Sequence, residues 1–242
     1  MMPIRCGSLM VAPDDCSYRP LLPLFLDMSQ RLVVIFGGGK VAERKALLFS
    51  DYGPVQVVSQ SFTPKLLASK DRWELTECDL RVDFKRYLQG AFIAIPATSN
   101  SQLNRSIEEE AIRVGILVNR VEGRGEVVVP SIIRKGQISI AISTESPGLT
   151  RYLRLRLEEE LTEDYQGMAK LLGRLRPELK ELIPGQEDRA RAIRSILEDK
   201  EVWRLLGHSY EKAYMRARSH ACQDERDSLD AGYSPHRLHR RD

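Results

Sequence analysis

Three consecutive glycines, Gly37-Gly38-Gly39, followed by Lys40-Val41-Ala42, are the residues whose types and spacing most clearly predict chemistry. The run fits the pattern G-x-G-x-x-A. The first glycine lets the chain turn sharply, the second admits a pyrophosphate close to the backbone, and the alanine allows close helix–strand packing. The phosphates would be held by backbone N–H groups at the positive end of a helix. The pattern predicts a dinucleotide site formed by Gly37, Gly38, Gly39, Lys40 and Val41.

Further candidates for this site follow the segments that we predict to be strands, because the carboxyl ends of parallel strands face the ligand crevice. They are Ser59, Ala97, Thr98, Asn100 and Asn119, with Asn104 close by. Capping or turn formation stays an equal alternative for Thr98, Asn104 and Asn119.

The second strand ends in Ser59-Gln60-Ser61, where a dinucleotide fold usually places an acidic residue on the adenosine ribose. No acidic group there would exclude a 2′-phosphate, and no arginine cluster would bind one. We expect NAD as the cofactor in preference to NADP.

Alternating strand and helix patterns surround the glycines and must position them. A continuous β-branched run such as Leu32–Phe36 is typical of a strand buried on both faces. The pattern predicts strands at 32–36, 55–58, 73–77, 92–95 and 116–118, and helices at 40–48, from about 64, and at 101–114. Strand, helix and strand in repeated alternation indicate a parallel sheet with right-handed crossovers.

The pattern changes after Asn119. Residues 126–133 and 137–143 resemble two strands joined by a tight turn at 134–136, which is foreign to a doubly wound sheet. Ser146-Pro147 is a plausible helix start. Leucines at i, i+4 spacing then line one helix face: Leu149, Leu153, Leu157 and Leu161. Helical patterns continue to about residue 218.

Composition excludes several classes of protein. The net charge of +3 over 242 residues is too balanced to indicate nucleic-acid binding. No apolar run approaches the ~20 residues that span a bilayer, and no secretory signal is visible. The four cysteines include no C-x-x-C pair, and the four histidines all follow residue 200, so we predict no fixed metal site and a cytoplasmic location.

Several motifs together resemble the precorrin-2 dehydrogenase (siroheme synthase) family. They include Leu22-Pro23-Leu24-Phe25-Leu26, Phe36 to Lys45 and Phe62-Thr63-Pro64. The resemblance continues through 94–100, Asn119-Arg120-Val121, 129–136, 140–144 and Ser146-Pro147. It covers roughly residues 21 to 161.

The resemblance implies that precorrin-2 is oxidised by NAD to sirohydrochlorin, with ferrous iron as a possible second substrate. It also implies a homodimer in which the segment after the nucleotide domain is exchanged. The expected fold class is α/β, a Rossmann-type parallel sheet domain followed by a small mixed dimerisation segment and a C-terminal helical domain. The expected bounds are an extension at 1–20, the NAD-binding domain at 21–119, the dimerisation segment at 120–148, the helical domain at 149–218 and a disordered tail at 219–242. We do not expect the methyltransferase activity of some longer relatives, since 242 residues leave too little chain for that further domain.

The resemblance also suggests residues for the reaction. Glu122 stands near the position of a family aspartate and is a candidate general base, with a solvated loop glutamate as the alternative. A tetrapyrrole that carries carboxylates favours guanidinium partners. The candidates for substrate binding are Arg120, Arg124, Ser143, Thr144 and Arg151, with Arg134 and Lys135 as further cations. The loop before Ser146 is shorter than in the family, which affects the expected pocket.

Two alternatives belong to other classes. A non-catalytic NAD- or redox-sensing dimeric module would use the same nucleotide domain. Such a module would not need Glu122 or the basic second segment, and these features therefore distinguish it from the enzyme. A short-chain dehydrogenase requires Tyr-x-x-x-Lys, and none of the eight tyrosines is followed by lysine at that spacing.

Overall fold

The computed structural model describes residues 21–123 and 125–220. The chain divides into two compact units between Val129 and Pro130. The sequence placed the boundary at Asn119. Residues 120–129 continue the first unit, because the Val127 N–H donates to the Val118 carbonyl at 3.1 Å and the side chains of Val127 and Val129 pack on the sheet core.

The first unit is built on a five-stranded parallel sheet with the strand order β3-β2-β1-β4-β5. The strands are β1 Leu32–Phe36, β2 Val55–Ser59, β3 Glu74–Glu77, β4 Ala91–Pro96 and β5 Leu117–Val118. Along β1, Val33 and Ile35 belong to one buried cluster, whereas Val34 and Phe36 belong to another. Since successive side chains point to opposite faces of a sheet, β1 is covered on both faces, as its continuous apolar run predicts.

Short helices connect these strands and cover the sheet. They are α1 Lys40–Phe49, α2 Pro64–Ala68 and α3 Ser101–Arg113, with one turn of 3-10 helix at Lys85–Leu88. Ala42 and Ala46 of α1 are completely buried, and their small side chains let α1 lie close to the sheet. The predicted parallel α/β fold is confirmed, although the sequence did not predict the 3-10 turn.

The second unit begins with a hairpin of β6 Ser131–Lys135 and β7 Ile138–Ile142. The sequence prediction of a strand over 126–133 with a turn at 134–136 was wrong in its bounds. The strand starts after Pro130, which has no N–H to give to a ladder. The loop is Gly136-Gln137, and Gly136 adopts a φ of +57° that a two-residue hairpin loop requires.

Helices form the rest of the second unit: α4 Pro147–Glu160, α5 Glu163–Leu182, α6 Gln186–Glu198, α7 Lys200–Leu206 and a helical segment at 210–220. Leu171, Leu175 and Leu179 of α5 pack with Ile196 of α6 in one buried cluster, together with side chains of α7 and 210–220. By contrast, α4 has no buried residue. No helix within 21–123 or 125–220 is both long and apolar enough to cross a membrane.

Candidate functional site

A cleft of about 620 Å³ opens in the first unit where the parallel strands end. Four segments line it: the glycine loop 37–39, residues 59–63 after β2, residues 79–81 after β3, and residues 97–100 after β4 with Leu103 of α3. The carboxyl ends of four neighbouring strands therefore contribute to one crevice, as expected for a ligand site in an open α/β sheet.

The three glycines of the loop have different structural roles. Gly37 has a φ of +121°, and a Cβ there would overlap the carbonyl of Ala97. A Cβ at Gly38 would overlap the carbonyl of Ser61, which belongs to the loop after β2. A Cβ at Gly39 would meet no protein atom within 4 Å. The first two glycines are required by the packing of the loop, whereas the third leaves open space on the cleft side.

Gly39 is also the N-cap of α1, and no side chain caps this helix. The first N–H groups of a helix have no acceptor within the helix, and they carry its positive end. Open space beside a side-chain-free N-cap suits the pyrophosphate of a dinucleotide. Residues of this loop therefore fit the predicted cofactor.

The loop after β4 is fixed by its own hydrogen bonds. Asn104 Oδ1 accepts from the backbone N–H of Thr98 at 3.0 Å and from the Thr98 hydroxyl at 2.6 Å, and Asn104 Nδ2 donates to the Thr98 carbonyl at 3.0 Å. Asn100 is the N-cap of α3, where it accepts from Leu103 N–H at 3.0 Å. Ala97, Thr98 and Asn100 line the cleft, but the polar side chains also build the loop that forms its wall.

The loop after β3 contributes Asp79 and Arg81, which the sequence analysis missed. Arg81 donates to both carboxylate oxygens of Asp79, at 3.0 and 2.8 Å, and these hydrogen bonds lower the pKa of Asp79. Ser59 pairs in register with Glu77, which puts Asp79 two residues beyond that pair at the same edge. The available signal was the position of Asp79 just past the carboxyl end of a predicted strand.

Three of the predicted cofactor residues lie outside the lining of the cleft. Lys40 and Val41 are on the first turn of α1, and the lining includes neither of their side chains. Asn119 is buried, with its Nδ2 donating to the Val127 carbonyl at 2.7 Å. Its Oδ1 has no hydrogen-bond partner among the described residues. Ser59, in contrast, is buried and lines the cleft.

The candidate base Glu122 is exposed in a bend at 121–123, where Gly123 has a φ of +73°. It is not part of the cleft lining. Arg120 forms an ion pair with Glu108 of α3. Arg124 lies outside the described residues.

The other substrate candidates belong to the second unit. Ser143 is exposed directly after β7, and Thr144 shares a hydrogen bond of 2.6 Å with Thr150 of α4. Arg151 is exposed on α4. Lys135 has a structural role, since its ammonium donates to the carbonyls of Glu158 and Leu161 at 2.7 and 2.6 Å and so satisfies the C-terminus of α4.

Within 21–123 and 125–220, no group of three or more His, Cys, Asp or Glu side chains is arranged to hold a metal ion. The polar groups of the cleft are instead backbone amides, hydroxyls, the side-chain amides of Gln60 and Asn100, and one carboxylate–guanidinium pair. This set of groups suits a phosphate-containing organic ligand.

Comparison with known proteins gives consistent matches. A family described as "Putative NAD(P)-binding" matches residues 24–131. A precorrin-2 dehydrogenase of Methanosarcina barkeri is 41% identical over 204 residues, which cover 81% of this chain and 91% of the relative. A siroheme synthase of Zymomonas mobilis is 35% identical over 173 residues, 69% of this chain but 36% of the longer relative.

A solved structure of SirC, a precorrin-2 dehydrogenase, aligns over 85% of this chain and all of its own, with a TM-score of 0.63 and 22% identity. At this identity the alignment supports the fold. The chain spans about a third of the length of the siroheme synthase.

Proposed function

The chain belongs to the precorrin-2 dehydrogenase family, and on that premise we propose that it oxidises precorrin-2 to sirohydrochlorin with NAD. The observation that carries this proposal is the cradle at the glycine loop, where Gly39 leaves open space beside an uncapped helix N-terminus. When bound, NAD accepts the hydride that leaves the macrocycle. The protein holds the dinucleotide through backbone amides of α1 and forms the walls of the cleft with the loops after β2, β3 and β4.

Glu122 is the proposed general base for the proton that is lost during the oxidation. Its carboxylate is exposed and belongs to the same unit as the cleft, after the end of β5. A loop position gives a long carboxylate side chain freedom to reach a bound substrate, and a base of this kind contributes roughly 10²–10⁴-fold to a rate. Glutamate in place of the family aspartate moves the carboxylate one methylene further from the backbone.

Substrate carboxylates are proposed to bind Arg120, Arg124 and Arg151, with Ser143 and Thr144 as hydroxyl donors. Arg120 would exchange its present partner Glu108 for a substrate carboxylate. Arg151 is exposed and makes no ion pair with any other residue in the described part of the chain. Guanidinium groups bind carboxylates through paired hydrogen bonds, so these residues favour an anionic macrocycle.

A homodimer is part of the proposal, and α4 supplies its support. The helix has no buried residue, and Leu149 and Leu157 of the predicted apolar face are 49% and 37% exposed. Tyr152 and Leu155 are exposed on the same helix. A two-stranded hairpin is at best marginally stable alone. A second copy of the chain would cover these apolar side chains and stabilise the hairpin and α4 together.

We also propose ferrous iron as a second substrate, which is inserted into sirohydrochlorin to give siroheme. A cytoplasmic location stays a prediction. The alternative of a non-catalytic NAD-sensing module is not favoured, because the relatives are named for enzyme activities.

The experiment is incubation of purified protein with precorrin-2, with and without NAD, while the absorption spectrum is followed. We expect the sirohydrochlorin spectrum only when NAD is present. Ferrous ion is then added to the product mixture, and a further spectral change that depends on the protein would support chelation. Failure to form sirohydrochlorin with NAD would contradict the proposed function.

A further inference from the structure

The loop after β2 lacks the carboxylate that usually binds the adenosine ribose of NAD. Ser59, Gln60 and Ser61 line the cleft at this position, and none of them carries a charge. An acid at this point normally accepts hydrogen bonds from the ribose hydroxyls and repels the 2′-phosphate of NADP. The neighbouring strand β3 delivers a carboxylate to the same side of the cleft.

Asp79 is that carboxylate, and several hydrogen bonds fix its orientation. It lies after β3, where Cys78 N–H donates to the Ser59 carbonyl at 3.1 Å, so the two loops are tied together. Gln60, the residue after Ser59, is a minor contributor to the lowered pKa of Asp79, after Arg81. The backbone bond from Cys78 to Ser59 therefore places Asp79 beside the loop after β2, and Asp79 and Gln60 both line the cleft.

Arg81 holds the other side of this carboxylate. Its guanidinium binds both carboxylate oxygens, and its backbone N–H donates to Asp79 Oδ1 at 3.0 Å. The Asp79 side chain is 32% exposed and that of Arg81 is 69% exposed. The carboxylate stays ionised within reach of the cleft, while the positive charge of Arg81 is engaged by its partner.

We infer that Asp79, through the loop after β3, determines the preference for NAD over NADP by occupying the place of the missing acid on β2. It accepts a hydrogen bond from the adenosine ribose and opposes the charge of a 2′-phosphate. Its ion pair with Arg81 also occupies that guanidinium, which would otherwise bind the 2′-phosphate. This inference rests on the proposed NAD site.

The test is equilibrium titration of the full chain with NAD and with NADP, for wild type and for Asp79→Asn. Asparagine has the same shape and keeps the oxygen that accepts from the Arg81 N–H, so the loop is retained. For wild type, we expect the Kd for NADP to exceed that for NAD at least about tenfold. In Asp79→Asn this ratio falls about tenfold or more, because the carboxylate no longer repels the 2′-phosphate and no longer pairs with Arg81.

Two further variants are needed. One controls for the loss of any carboxylate from this loop, and the other tests whether Arg81 binds the 2′-phosphate. Asp83→Asn changes a carboxylate in the same loop that pairs with Arg86 and does not line the cleft, so its Kd ratio stays at the wild-type value. Adding Arg81→Ala to Asp79→Asn removes the part of the gain in NADP affinity that comes from the released Arg81 guanidinium, and leaves the part that comes from the lost repulsion.

The outcomes separate this inference from the proposed function. Tight NAD binding with an unchanged Kd ratio in Asp79→Asn overturns the role of Asp79 alone. A wild type that prefers NADP overturns it as well, even where the variant does not fold. If neither dinucleotide binds, both the inference and the proposed function are wrong.

Discussion

At the scale of single residues, the glycine loop was predictable because its three consecutive glycines directly follow a buried apolar run and open a helical pattern. Gly37 turns the chain out of β1, and Gly39 starts α1 without a side chain. Asp79 was not predictable in the same way. Its role depends on β3 lying next to β2, and this neighbour relation is decided by the sheet and not by local spacing.

The two glycines that follow Gly37 provide a matched pair of substitutions. Gly39→Ala should fold normally, because its φ of −85° suits alanine and its side has open space. The methyl group would stand where the pyrophosphate approaches the backbone, so the Kd for NAD should rise roughly tenfold or more, equivalent to about 1.4 kcal/mol. Calorimetric titration measures this change.

Gly38→Ala is the control with the opposite expectation. Its methyl group would overlap the Ser61 carbonyl, and forced overpacking of this kind destabilises a fold by about 1–3 kcal/mol. Thermal unfolding should show the loss for Gly38→Ala and not for Gly39→Ala. An unchanged Kd for NAD in folded Gly39→Ala would remove the loop from the proposed site.

Glu122→Gln tests the proposed base. The substitution keeps the size of the side chain and removes its ability to take a proton, so kcat for precorrin-2 oxidation should fall about 10²-fold or more while the Kd for NAD is unchanged. Glu109→Gln, an exposed glutamate of α3 in the same unit, should keep the wild-type rate. Wild-type turnover by Glu122→Gln would exclude the residue from the mechanism.

At the scale of helices and strands, the sequence predicted the elements whose periodicity is strong and misplaced those that depend on pairing. Buried strands such as β1 and capped helices such as α4 agree with the structure. The hairpin was displaced because the apolar run Val127-Val128-Val129 resembles a strand, whereas Pro130 and Gly136 set the real register. The exposure of α4 could not be predicted, since an i, i+4 leucine pattern does not say what covers the helix.

A pH-dependent contact joins α7 to the segment 210–220. Burial raises the pKa of Asp199, but hydrogen bonds from His220, Arg216 and the Glu201 N–H outweigh it and bring the pKa to about 2 from 3.8. A carboxylate whose pKa is lower in the folded protein than in the unfolded chain stabilises the fold at pH values above the unfolded pKa. This stabilisation is lost as the pH falls towards 2. The shift corresponds to about 2 kcal/mol.

Asp199→Asn should therefore be less stable than wild type at pH 6 by about 2 kcal/mol, and this difference should shrink between pH 4 and pH 2. Urea unfolding followed by circular dichroism measures it. Asp188→Asn, which breaks a surface pair with Arg191 on α6, is expected to lower stability by less than about 1 kcal/mol. A difference between wild type and Asp199→Asn that does not depend on pH would contradict the assignment.

At the scale of the whole molecule, the chain combines a nucleotide-binding unit with a second unit that carries an exposed apolar helix. The predicted cofactor residues and Glu122 belong to the first unit. Of the other substrate candidates, Arg120 is on the first unit, and Ser143, Thr144 and Arg151 are on the second. The proposed homodimer gives the second unit a function, since a second copy of the chain would cover α4.

Introducing charge on α4 tests the dimer. Leu149→Asp with Leu157→Asp should convert a dimer into a monomer in sedimentation experiments, because buried carboxylates without partners are costly in an apolar interface. Precorrin-2 turnover should fall with it, while NAD binding by the first unit is retained. Leu197→Asp on α6, another exposed leucine, should leave the dimer intact. A wild type that sediments as a monomer would contradict the proposal.

The most direct measurement of the central claim is the ratio between reduced NAD and sirohydrochlorin in one reaction. Purified protein is mixed with precorrin-2 and excess NAD without oxygen, and both products are quantified over time. The account predicts one NAD reduced for every sirohydrochlorin formed, at equal rates, and formation of both products about tenfold or more slower with Gly39→Ala at NAD concentrations below the Kd. Sirohydrochlorin that forms without reduction of NAD would contradict it.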